Sequence, residues 1–227
     1  MNLLRVDFEK LCIWVHTLGV RPPKLTTPRS KGRPRSFDAD RALDSAMRVF
    51  WKHGYEGTSL PVLTEAMGIN RPSLYATFGN KESLFRKALD RYYERPANYF
   101  TLALARPKAR QVAEHLLAGA LETYCNPRNP RGCLWIQGAL ACSAGSEPVR
   151  KELVARRQAG EAMLRERFER AIAERDLPAD ANAGDLARLV TALIAGMSVQ
   201  SASGANRADL ERVAYLAMQA WPASRRR

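Results

Sequence analysis

Long apolar runs, paired cysteines and catalytic signatures are what this sequence has least of, and each shortage removes a class of function. A membrane-spanning helix needs about 20 apolar residues. The one candidate, Leu11 to Val20, is half that length, contains His16 and lacks a small-residue cleavage site, so neither a span nor an export signal is expected and the cytoplasm is the expected compartment. The four cysteines, Cys12, Cys125, Cys133 and Cys142, form no CxxC pair and no zinc-ligand spacing, which argues against a disulfide framework or a structural metal. No G-x-S-x-G, Walker or Rossmann pattern is present, so enzyme chemistry and a bound cofactor are not expected. His53 and His115 read as packed or surface histidines rather than metal ligands.

What is there is a globular composition with an uneven charge. Hydrophobic residues make up 46% and charged residues 26% of 227 positions, enough for a sizeable core. The net charge is +13, but residues 1–36 alone carry +6 and Arg225 to Arg227 add +3. Residues 1–35, rich in Pro and ending in Lys31-Gly32-Arg33-Pro34-Arg35, are expected to form a flexible basic arm, and residues 223–227 a basic tail. Such extensions suit phosphate neutralisation, and Lys31, Arg33 and Arg35 are candidate DNA contacts.

From Asp38 to Trp221 apolar residues recur at spacings of three and four, so the expected fold is all-α. Asp38 is placed to cap a first helix with Leu43, Met47 and Phe50 on one face, and Gly54 to close it. Thr58 is expected to cap a second helix that accepts Pro61 in its first turn and stops at Gly68. Asn70 caps a third helix, Arg71 to Phe78, and Asn80 a fourth that Pro96 breaks. Further helices are expected over Pro107 to Tyr124, Cys133 to Ala144 and about Pro148 to Arg175, with a Pro-rich loop at residues 126–130. A broad apolar stripe follows through Leu186, Leu189, Val190, Leu193, Ile194 and Met197, and Asn206 caps a last helix with Leu210, Val213, Ala217 and Ala220 on one face.

The second and third helices, joined by a Gly-containing turn, form a helix-turn-helix in which the third can enter a DNA major groove. Asn70, Arg71, Ser73 and Thr77 offer donors and acceptors to bases or phosphates, Leu74 and Phe78 turn inward, and Tyr75 is left outside. Thr58 and Lys81 stand at helix starts, where backbone amides favour phosphate.

Leu43, Ala46, Phe50, Gly54-Tyr55, Thr58, Gly68, Leu74-Tyr75, Phe78, Lys81 and Leu84 together resemble the DNA-binding domain of the TetR/AcrR family, over Ser36 to Tyr92. Thr64 stands where that family usually has alanine, and Pro72 where many members have glycine. The resemblance implies a helix-turn-helix domain at residues 36–82, including the start of the fourth helix, and a helical effector-binding and dimerisation domain at residues 83–222. It implies DNA contacts from Thr58, Arg71, Ser73, Tyr75, Thr77 and Lys81, and a homodimer through the last two helices, here Leu186, Leu189, Leu193, Met197, Leu210, Val213 and Ala217. It also implies a repressor released from a near-palindromic double-stranded operator by a small-molecule effector, with a pocket among the middle helices. His115, Tyr124, Cys133, Trp135, Gln137, Met163 and Phe168 are candidates to line it. Two alternatives stay open, a cysteine-based redox, electrophile or metal sensor of the same fold and a ligand-independent DNA-binding protein.

Overall fold

A computed structural model describes residues 37–140 and 146–222. The basic arm with Lys31, Arg33 and Arg35, the tail, and Cys12 and Cys142 lie outside the described residues. Every regular element among the described residues is a helix: α1 (Ala39–His53), α2 (Leu60–Met67), α3 (Arg71–Phe78), α4 (Lys81–Glu94), α5 (Tyr99–Leu104), α6 (Ala109–Cys125), α7 (Leu134–Leu140), α8 (Glu147–Ala173), α9 (Ala183–Ala202) and α10 (Arg207–Gln219). The expected boundary between residues 82 and 83 falls inside α4, and residues 37–222 belong to one compact unit.

Local chemistry sets the helix starts. Asp38 accepts from the amides of Asp40 and Arg41 at the head of α1, Asn70 and Asn80 accept from the third residue of α3 and α4, and Asn206 forms a capping box with Asp209 on α10. One cap differs from the expectation. Ser59, not Thr58, caps α2, its hydroxyl accepting from the Val62 amide, while the Thr58 hydroxyl donates back to the Gly54 carbonyl at 2.7 Å. Gly54, at φ 68°, closes α1 in a conformation that Ala would strain. The helix expected from Pro107 begins at Ala109, because its first free amide is satisfied by the Asp176 carboxylate at 2.6 Å. The short α5 follows the break at Pro96 and carries no periodic signal long enough to be read.

The helix-turn-helix rests on an aromatic floor. Phe50 of α1 meets Phe85 of α4 edge-on at 5.0 Å, and Trp51 meets Tyr92 at 4.8 Å. All four are buried, each contributing about 1.5–3 kcal/mol by burial. Arg91 on α4 pairs with Asp40 and, at 3.4 Å, with Asp44 on α1, fixing how the two helices cross. Helix α7 packs against α1, α4, α8 and α9. Helices α6, α8, α9 and α10 pack around a second stretch of core that includes Leu116, Leu164, Phe168 and Val190.

Candidate nucleic-acid interface

Helix α3 is short, and two buried side chains root it. Leu74 and Phe78, one turn apart, enter the core, while Arg71, Pro72, Tyr75 and Ala76 are exposed. Arg71 and Tyr75 also stand one turn apart, so they share the outward face. The turn before α3 is held by Gly68, left-handed at φ 66°, and by Asn70, whose side-chain oxygen accepts from the Ser73 amide at 2.9 Å. At the other end Gly79, at φ 77°, ends α3 directly before the Asn80 cap of α4. Tyr75 leaves half of its surface exposed.

Lys81 opens α4 with its ammonium 4.3 Å from the centre of the Tyr55 ring. Burial lowers its pKa, and the nearby Glu56 carboxylate opposes that shift. An ammonium held in this way is a fixed positive point at a helix start, where an anion is favoured. Lys87 reaches the Thr77 carbonyl at 3.4 Å and so spans the turn between α3 and α4. Ser73 and Thr77 are half-buried.

Thr58 requires correction as a DNA contact. It is fully buried and its hydroxyl is spent on Gly54, so the side chain has no surface to offer a phosphate. Its part is to fix the turn from which α2 starts. Position at a helix start suggested a contact; only the packing of the α1–α2 connection shows the side chain turned inward.

The effector candidates do not form one group. Tyr124 and Cys133 are buried together with Tyr92, whose hydroxyl donates to the Cys133 sulfur at 3.4 Å. Trp135 stacks on Tyr93 at 5.5 Å with nearly parallel rings, and Arg157 of α8 donates to the Trp135 carbonyl at 3.2 Å. Burial, reinforced by the Cys133 sulfur, pushes the pKa values of Tyr92, Tyr99 and Tyr124 well above the ordinary range, so all three stay neutral. Burial likewise raises the Cys125 thiol pKa, against the nearby Arg207 and Arg131, which disfavours the thiolate there.

The other candidates separate from that cluster. Phe168 packs edge-on against Trp221 at 5.4 Å, Gln137 donates to the Arg131 carbonyl at 2.7 Å, and Met163 is half-buried on α8. His115 sits 3.2 Å from Arg106 in an open cleft of about 410 Å³ on the outer side of α6. Phe168 and His115 thus lie apart from that cluster, one in core packing and one beside the open cleft. Tyr92, Tyr99 and Arg157, which the sequence reading does not single out, lie in or beside the cluster, and the tyrosines on either side of Pro96 are the sequence signal for the first two.

The last two helices also divide their stripe. Met197 and Leu210 are buried in the chain's own core and are not available to a partner, which corrects the expected interface at those two positions. The outward face of α9 is Leu189, Ala192, Gly196 and Val199, at spacings of three and four, with Leu186 and Leu193 half-buried beside it. On α10 the exposed apolar residues are Tyr215 and Leu216, between the half-buried Val213 and Ala217. Open space lies over Gly196, where an added Cβ would meet nothing.

Residues 42–88 match the family profile described as bacterial regulatory proteins, tetR family, and residues 109–216 match the tetracyclin repressor-like C-terminal domain. The chain is 35% identical over 196 residues to the HTH-type transcriptional repressor ComR of Escherichia coli K12, spanning 86% of this chain and 93% of that protein. The chain belongs to the TetR family. Among solved structures of TetR regulators, it is similar to a cysteine mutant of CifR complexed with 26-bp double-strand operator DNA, at 44% identity and a TM-score of 0.80, over 84% of this chain and all of that one. A putative TetR regulator from Rhodococcus sp. RHA1 is 42% identical with a TM-score of 0.57, over 80% of this chain and 98% of that one. The family and these relatives are transcriptional regulators, not enzymes. No helix among the described residues is long and apolar enough to cross a membrane.

Proposed function

We infer that this TetR-family protein acts as a cytoplasmic homodimer that represses transcription by binding a near-palindromic operator and leaves it when a small molecule binds the helical body. The observation that carries the DNA-reading part is α3: Leu74 and Phe78 root it while Arg71 and Tyr75 stand exposed on its outer face. That is the division of labour a groove-entering helix needs. Arg71 supplies a planar donor fork for base edges or phosphate, and Tyr75 a ring and hydroxyl. Asn70, Ser73, Thr77 and Lys81 flank them, and the arm with Lys31, Arg33 and Arg35 adds phosphate neutralisation. The likeness to a regulator complexed with operator DNA supports the same reading.

The dimer follows from the apolar outer faces of α9 and α10, which in a lone protomer would expose Leu189, Val199, Tyr215 and Leu216 to water. Two copies of α3 set about one DNA turn apart, roughly 34–36 Å, read two half-sites. The region around Tyr92, Cys133, Trp135 and Arg157 touches both α4 and α8, so a small molecule entering there biases the position of α4 and with it the separation of the reading helices.

Selection of bound sequences from a random DNA pool, followed by titration of the winner at several salt concentrations, tests this function. A near-palindromic winner bound far more tightly than the pool is the expected result. Failure to enrich any sequence would refute it.

A further inference from the structure

The contacts around Gly132 join α1, at the back of the helix-turn-helix, to α9. Trp51 of α1, fully buried, donates its indole N–H to the Gly132 carbonyl at 2.9 Å, and Arg48, almost one turn earlier, donates to the Arg128 carbonyl. On the opposite side the Cys133 amide donates to the Ser198 hydroxyl of α9 at 2.8 Å. The Arg131 guanidinium reaches the Ala205 carbonyl at 3.1 Å and the Ser201 carbonyl at 3.4 Å, and the Ser201 hydroxyl donates to the Tyr124 carbonyl at 2.9 Å. Gly132 sits at φ 80°, and a Cβ there would lie 2.1 Å from the Gln137 side-chain nitrogen and 3.0 Å from the Ser198 carbonyl oxygen. The segment thus runs close against α9, in a left-handed conformation that favours glycine. The Trp51 and Ser198 bonds are both buried, so breaking either strands a polar group away from water.

We propose that residues 126–133 are a clasp through which α9 sets the orientation of the helix-turn-helix, making Arg48, Trp51, Arg131 and Ser198 positioning residues for DNA binding. The proposal rests on the reading of α3 as the DNA-reading helix and α9 as a dimerisation helix. Two half-sites a fixed distance apart demand two heads held at a fixed angle to the dimer axis. A head released from α9 has orientational freedom that it must surrender on binding. The clasp bonds act in series, from α1 to the loop and from the loop to α9, so cutting either end disconnects the whole. A second cut then adds nothing.

The test uses the full chain in four forms: unaltered, a cut of the α1 side (Arg48→Ala with Trp51→Phe), a cut of the α9 side (Ser198→Ala with Arg131→Ala), and both cuts together. Arg131→Ala alone, at an exposed position, serves for the exchange reading below should Ser198→Ala fold poorly. Titration with the selected operator duplex is expected to show each one-sided variant weakened roughly three- to tenfold, the two-sided variant no weaker than the worse one-sided one, and the salt slope unchanged. Effects that multiply, one-sided variants that bind as well as the unaltered chain, or a salt slope lowered by the α1-side cut, which would mark a direct phosphate contact, would each overturn the clasp. Hydrogen exchange in the absence of DNA gives a separate reading. Amides of residues 50–54, at the end of α1, are expected to exchange faster in Ser198→Ala and Arg131→Ala, and unaltered exchange also overturns the proposal. If the unaltered chain enriches no DNA sequence while the exchange change is present, the DNA-reading assignment fails, and with it the positioning role, while the link from α9 to α1 stands.

Discussion

Helices α3 and α9 both turn a face outward, and the two faces have opposite chemistry. Of its eight residues α3 buries two and exposes an arginine, a proline, a tyrosine and an alanine, with a capping asparagine before it and a glycine after it. Helix α9 has twenty residues, buries Val190 and Met197 inward, and turns out Leu189, Ala192, Gly196 and Val199. A face that meets DNA needs directional donors on a well-anchored backbone, because base edges and phosphates are read by hydrogen bonds. A face that meets a second copy of the same helix needs small apolar residues that let two backbones approach and exclude water.

Several substitutions separate the two faces, and the largest effect comes from removing the floor under the first. Phe50→Ala empties a site bounded by Phe85 and Tyr55, and a loss of about 3–5 kcal/mol of stability is expected. Calorimetry should show the lowered melting temperature together with lost operator binding. Next, Gly196→Arg places bulk and an unpaired charge where α9 has open space. Dimerisation should weaken by on the order of 3 kcal/mol, with sedimentation showing monomers of unchanged helical content; a persistent dimer would move the interface off α9. Arg71→Ala should reduce operator affinity by about 1–3 kcal/mol and leave sedimentation unchanged, the reverse of the Gly196 result. If both variants lost the dimer, the two faces would not be independent.

The smallest effect is a pH dependence far from α3. Burial and the neighbouring Arg106 hold the pKa of His115 below its ordinary 6.5. The unfolded chain then binds the proton more readily than the folded one, so the stability tied to His115 is present above pH 6.5 and is lost as the pH falls through the lowered pKa. His115 is only half-buried, so the change is small. Denaturant titrations at pH 7.5 and 5.5 should show a difference that shrinks in Arg106→Ala, while Arg71→Ala leaves it unchanged.

Much of the head was legible because its signals are local. A capping oxygen acts within three residues of its helix, and Leu74 and Phe78 are on one face of α3 by spacing alone. Thr58 escaped that logic. Whether a hydroxyl at a helix start looks outward or back toward Gly54 depends on the path of the α1–α2 connection. The buried cluster around Cys133 was the least legible part, because Tyr92, Cys133 and Arg157 come from α4, the start of α7 and α8. No periodicity links residues that distant in the chain.

By itself, the sequence determined an all-helical chain, the positions of most helix starts and the side chains that anchor α3, since these depend on residues within one or two turns of each other. Only the tertiary structure decided that Met197 and Leu210 belong to the protomer while Leu189, Val199, Tyr215 and Leu216 face outward, and that residues 126–133 connect α1 with α9. An apolar stripe says which residues share a face; which neighbour covers that face is settled by how the helices cross.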